Sequence, residues 1–159
     1  MASVLEYLQG RGQVFTVIPH PQAPIHESRA HRPRFAGELA AATAVVIANY
    51  GPAVLVIPAS RTLDLELVAQ AVGDPEVRLA TALELQRQFP DYEPGALPPL
   101  SMLLLAPMYV DPAVMERREI VFAAGRLDVS IRMSTRDLFG SDPVVISPLT
   151  AQSRVAATS

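Results

Sequence analysis

Three histidines, His20, His26 and His31, fall in the first third of the chain, six and five residues apart. Neither spacing sets two imidazoles one helical turn apart, and no carboxylate stands at a companion zinc-ligand distance, so the pattern calls for no metal. His20 reads as a turn histidine following a strand. Ser60 and Ser130 lack the G-x-S-x-G elbow of a hydrolase nucleophile and read as structural hydroxyls. Gly10-Arg11-Gly12 has neither the preceding strand nor the remaining residues of a phosphate-cradling loop. The chain contains no cysteine and no lysine, which excludes thiol nucleophiles, cysteine-bound zinc, Schiff bases and lysine general bases. No carboxylate pair stands out among the 16 acidic residues. By spacing alone the residues name no reaction.

Two stretches remain. In E-P-G-A-L-P-P (Glu93–Pro99), Gly95 opens a backbone conformation that other residues resist, and Pro98-Pro99 hold the following chain extended. Such a loop is either a rigid surface turn or a platform that offers main-chain N–H groups to a ligand or a water. In H-E-S-R-A-H-R-P-R (His26–Arg34), Arg29, Arg32 and Arg34 face one carboxylate. That run is either a solvated surface or a phosphate contact, since guanidinium forks match phosphate oxygens.

The elements that would position these residues follow from the apolar pattern. With 159 residues, half of them hydrophobic and 18% charged, the chain is long enough for one domain with a real core. The net charge of −3 excludes a general nucleic-acid glove. No apolar run approaches the roughly 18 residues of a membrane span, and no secretory signal opens the chain. Absent cysteines fit a cytoplasmic protein. Ala44–Ala48 and Ala53–Ile57 are β-branched runs around Asn49-Tyr50-Gly51-Pro52, which predicts a central antiparallel hairpin. Capping patterns at Ser3/Glu6, Asp64, Thr81/Glu84 and Ser134/Asp137 predict four short helices. Val14–Ile18, Val77–Leu79, Met102–Leu105, Met108–Val110, Ile120–Ala124 and Val129–Met133 read as strands, and Asp111-Pro112 opens a turn through Met115. From Ser141 the chain reads as a loosely held tail. Hairpins mixed with isolated helices predict an α+β fold with a mixed sheet.

The ordered set of segments carries a resemblance. It runs Y-L-Q-G-R-G-Q-V-F-T-V-I-P-H-P, A-T-A-V-V-I-A, V-L-V-I-P-A-S-R-T-L-D-L, V-R-L-A-T-A-L-E-L, F-P-D-Y-E-P-G-A-L-P-P, P-M-Y-V-D and I-V-F-A-A-G-R-L-D-V-S-I-R-M-S-T-R-D-L, over roughly residues 4–139. In that order they resemble the YbaK/ProX family of aminoacyl-tRNA editing domains, relatives of the insertion domain of bacterial prolyl-tRNA synthetases. The resemblance implies one editing domain over residues 1–140, with a curved mixed sheet flanked by helices, and a tail over 141–159. It implies binding of the 3′ acceptor end of a mischarged tRNA and hydrolysis of the aminoacyl ester, with no cofactor and no metal. In that scheme the tRNA's terminal hydroxyl helps activate water, while the backbone of Gly95, Ala96, Leu97, Pro98 and Pro99 positions the reacting groups. Substrate contact falls to Ala42, Thr43, Ser130 and Arg132, and tRNA phosphate contact to Arg29, Arg32 and Arg34. Aminoacyl-tRNA is the implied partner; a homodimer is compatible with the pattern, and a membrane is not involved.

The chain also departs from the family. A lysine that contacts the tRNA end normally precedes the threonine of the first hairpin strand, and here that position is Ala42. Ser101 replaces a glycine that often closes the loop region. The regular helix before the hairpin is replaced by the arginine- and proline-bearing His26–Phe35. Two functions follow: a deacylase in which an arginine takes over phosphate contact, or a non-catalytic relative that binds a tRNA end or small ligand.

Overall fold

The structure, a computed structural model, describes residues 4–20, 40–140 and 143–151. Helix α1 (Val4–Gly10) buries Val4 and Leu8 one turn apart, and Gly12 at φ +71° turns the chain into strand β1 (Phe15–Pro19). Ser3 and the whole His26–Arg34 run lie outside the described residues. The hairpin is longer than its apolar cores: β2 (Ala41–Ala48) pairs in register with β3 (Gly51–Pro58), leaving only Asn49-Tyr50 as the turn. The expected four-residue gap is therefore two residues. Gly51, at φ +122°, supplies the backbone freedom that closes it, and Asp74 Oδ2 accepts from the Asn49 N–H at 2.8 Å.

Helix α2 (Leu65–Val72) begins where Asp64 caps the N–H groups of Glu66 and Leu67, and ends at left-handed Gly73. Strand β4 (Arg78–Leu79) leads to helix α3 (Ala82–Gln88), which carries the complete Thr81/Glu84 capping box. Ala82 is exposed, and Phe89, just past the helix, provides the anchor at 6% exposure.

Met102–Leu105 is not a strand. Ser101–Leu104 forms a single helical turn, α4, whose cap Leu105 sits at φ +57° and is 84% exposed. Leu100 and Leu104, four residues apart, both enter the core, a spacing that a four-residue apolar run does not distinguish from a strand. Strand β5 (Met108–Val110), helix α5 (Pro112–Met115), strand β6 (Glu119–Arg126), strand β7 (Val129–Ser134) and helix α6 (Thr135–Phe139) follow.

Within the expected tail, residues 145–150 are held against the fold. Val145–Ile146 forms β8, parallel to β5, and Leu149 is fully buried. The cause is Asp111, 3% exposed, which caps α5 through Oδ1. Its Oδ2 accepts from the N–H groups of Leu149 and Thr150 and from the Thr150 hydroxyl, at 2.9, 3.1 and 2.9 Å. A buried carboxylate needs such donors, and residues 149–150 supply them. Residues 152–159 lie outside the described residues.

The architecture is α+β, with helices flanking a mixed, non-closed sheet. Strands β1-β7-β6 form an antiparallel part and β4-β2-β3-β5-β8 a mixed part, joined at a parallel bridge between Ala40 and Val121. Alternation along the strands divides the core. Ala41, Val45, Val54, Val56, Ile120, Phe122, Ile131 and Met133 pack on one face with α1, α4 and α6. Val46, Leu55 and Ile57 pack on the other with Val68 and Val72 of α2 and with Leu149. On that second face, Ala40 and Val121 make a small satellite with Ile18 and Ala59 where the two parts of the sheet meet.

Candidate functional site: a main-chain loop moored to two strands

Pro94 and Gly95 occupy the centre of a tight turn closed by the Ala96 N–H donating to Glu93 O at 2.9 Å, with Gly95 at φ +89°. Proline first and a positive-φ glycine second is the combination a type II turn demands. The turn is moored to β6 by a reciprocal pair: Glu93 N–H donates to Gly125 O, and Gly125 N–H donates to Ala96 O, each at 2.9 Å. Gly125 sits at φ +92° beside a register shift in β6, and a Cβ there would meet Tyr92 Cδ1 at 3.0 Å. Glu93 adds a third mooring, its Oε1 accepting the Leu127 N–H at 2.7 Å.

The far side of the loop is fastened to the central hairpin. Thr43 Oγ1 donates to Leu97 O at 2.7 Å, a contact between residues 54 apart in sequence. Leu100 N–H donates to Pro98 O at 2.9 Å, and Pro98 and Pro99 have no N–H to give. Ala96, Leu97, Pro98, Pro99 and Leu100 are all buried, whereas Gly95 is exposed. The sheet-facing side of the loop is thus filled, and its open side is the Gly95 turn. Among the described residues, the N–H groups of Gly95 and Leu97 have no hydrogen-bond partner. Ser101, directly after the loop, is 5% exposed and its hydroxyl likewise has no partner among them.

The other expected contact residues lie on the opposite face of the sheet. Ala42 alternates away from Thr43 and packs, half-buried, against the α2 side. Ser130 and Arg132 alternate away from core residues Ile131 and Met133. Ser130 Oγ is 2.8 Å from His20 Nε2, and the His20 N–H donates to Asp128 O at 2.9 Å. Arg126 holds the Asp128 carboxyl below its usual range, chiefly through a hydrogen bond, and nearby His20 adds a smaller pull in the same direction. Arg132 is engaged by Glu119, its Nε and Nη2 donating to Oε1 at 3.0 and 2.7 Å. Its guanidinium is therefore paired within the sheet.

The Gly95 turn, the Leu127-Asp128 turn, His20 and Ser130 all belong to one end of the antiparallel part of the sheet, where Pro19 pairs with Val129. Thr43 and loop 95–99 come together directly, Ser130 lies near that end on the other face, and Ala42 stands apart. Arg29, Arg32 and Arg34 lie outside the described residues. Among the described residues no three His, Asp or Glu side chains gather as metal ligands, and no helix is long and apolar enough to cross a membrane.

The fold matches solved structures, and the sequence matches a family model. A crystal structure of "hypothetical protein APE2540" superposes with a TM-score of 0.79 at 23% identity, covering 93% of this chain and 99% of that one. A crystal structure of a candidate trans-editing enzyme for prolyl tRNA synthetase superposes with a TM-score of 0.74 at 18% identity, covering 96% and 99%. At such identities the likeness is one of fold. No curated protein sequence matches the chain. The family model of the aminoacyl-tRNA editing domain matches residues 22–140, which include β2, β3, the Gly95–Pro99 loop and both strands of the β6–β7 hairpin, and the chain belongs to that family.

Proposed function

We propose that this chain removes a small, wrongly attached amino acid from the 3′ end of a tRNA by ester hydrolysis, acting in trans and in the cytoplasm. The observation that carries this reading is the loop moored at Gly125 and Thr43, with the N–H groups of Gly95 and Leu97 unspent among the described residues. In the reaction, water adds to the ester carbonyl carbon and negative charge develops on the carbonyl oxygen. The bond to the terminal ribose oxygen then breaks, the amino acid leaves as its carboxylate, and the ribose regains a hydroxyl. Preorganised main-chain donors meet the developing oxyanion without reorganising, and one such donor is worth about 10²–10³ in rate. The neighbouring ribose hydroxyl of the substrate holds the water, so the protein needs no catalytic triad. Choice among amino acids rests on fit, at about 1–3 kcal/mol per methylene.

The direct test follows ester loss from tRNAs mischarged with alanine or serine. Hydrolysis well above the buffer rate for at least one pair is expected. Rates equal to buffer for every pair favour a second reading, in which the fold binds a tRNA end or small ligand without hydrolysis; Ala42 in place of the family's lysine speaks for it.

Two further outcomes bear on RNA contact. Ala42→Lys is expected to tighten tRNA-end binding or raise deacylation by about 10-fold, since a charge-assisted contact contributes roughly 1.5–3 kcal/mol. No change in either would mean that the surface around Ala42 serves another ligand. Replacing Arg29, Arg32 and Arg34 together by glutamine is expected to weaken tRNA binding and flatten its salt dependence by up to about three phosphate contacts. An unchanged slope returns that run to ordinary solvated surface.

A further inference from the structure

A cavity of about 560 Å³ opens between the approach to β6 and helix α6. Arg117, Arg118, Arg136 and Thr135 line it, with Met115 and Phe139 as apolar wall, and no Asp or Glu side chain among its lining residues. Elsewhere Arg78, Arg126 and Arg132 each hold a carboxylate at 2.7–2.9 Å. Arg118 and Arg136 have no side-chain partner among the described residues. Thr135 is 3% exposed, and its hydroxyl is buried with no hydrogen-bond partner among them. A buried hydroxyl left unsatisfied carries a desolvation cost, which a hydrogen bond to a ligand oxygen would recover. The Thr135 N–H donates to Arg118 O at 2.9 Å, so the two sides of the cavity are tied together.

Unpaired guanidinium forks beside an orphaned hydroxyl match the oxygens of a phosphate. A lone phosphate ion would leave most of the space empty, since cavities of about 300–1,000 Å³ accommodate whole small molecules. Met115 and Phe139 offer the apolar surface on which a sugar or base can lie. The cavity also borders the start of β2: Arg117 Nη1 donates to Ala40 O at 3.3 Å, two residues before Ala42. We propose that the cavity lined by Arg117, Arg118, Thr135 and Arg136 seats one phosphate-linked nucleotide of the bound RNA, supplying positive charge close to the strand that lacks its lysine. This rests on the reading of the chain as a tRNA-binding deacylase.

The probe is an uncharged RNA hairpin reproducing a tRNA acceptor end, with binding followed by fluorescence anisotropy across a salt series. Arg118→Gln/Arg136→Gln is expected to weaken binding about 10–100-fold and to lower the slope of log affinity against log salt by about 1–2. Thr135→Val is expected to weaken binding severalfold while leaving the slope alone. Arg118→Lys/Arg136→Lys, which keeps the charge but loses the forks, retains the slope at reduced affinity. Wild-type affinity and slope in the glutamine variant overturn the proposal. So does arginine-dependent binding of inorganic phosphate alone with RNA affinity untouched, because the ligand would then be a free ion. If wild type binds the hairpin with this arginine dependence yet hydrolyses no mischarged tRNA, the deacylase reading fails and the cavity assignment stands.

Discussion

Gly95→Ala is expected to lower the single-turnover deacylation rate by about 100-fold while the protein stays folded. Gly95 sits at φ +89°, where an L-residue is strained by roughly 1–2 kcal/mol. The cheapest relief is to rotate the Pro94–Gly95 unit, which re-aims the exposed N–H at the open side of the loop. Losing one oriented donor to a developing oxyanion costs about 10²–10³ in rate. Gly73→Ala is the matched control: Gly73 caps α2 at φ +78° and touches no part of the loop. Both variants should melt lower by a similar margin, and only Gly95→Ala should lose turnover. Equal rates for the two would remove loop 95–99 from the chemistry.

Thr43→Val is expected to cost stability and turnover together. The substitution keeps the shape but removes the hydroxyl that donates to Leu97 O, leaving that carbonyl in a site where Leu97 is only 3% exposed. An orphaned buried acceptor costs about 1–3 kcal/mol, or about 2–4 °C of Tm per kcal/mol for a chain of this size. The loop loses its mooring to β2, so kcat should fall about 10-fold with KM little changed, because the threonine hydroxyl proton is given to the loop carbonyl. Thr43→Ser keeps the donor and should recover most of kcat. A valine variant with wild-type kcat and lowered Tm would make the contact purely architectural.

Much of the fold was readable because its signals are local. Asp64, Thr81/Glu84 and Ser134/Asp137 cap as their spacing predicts, since a cap is a contact between residues two or three apart. Met102–Leu105 was misread because four apolar residues fit a strand and a helical turn equally well. The hold on residues 145–150 was not legible because part of it comes from Asp111, 38 residues earlier at the nearer contact, and no local pattern announces so distant a partner. The site divides the same way. Gly95 and the prolines declare their loop in sequence, and Thr43 was picked out through family resemblance. That Thr43 holds Leu97, that Ser130 meets His20 and that Arg132 is engaged by Glu119 are facts of strand register. The Arg118–Arg136 cavity carried no signal at all, since its two walls meet only once β6, β7 and α6 are assembled.

The Asp111 carboxylate has a consequence for biosynthesis. Until Leu149 and Thr150 have been added, the Oδ2 of that acid lacks its donors and the layer under α2 lacks Leu149. The antiparallel part, β1, β6 and β7, contains none of these closing residues, whereas the mixed part is completed only by residues 145–150. Each copy of the chain therefore completes its mixed sheet only after translation has passed Thr150.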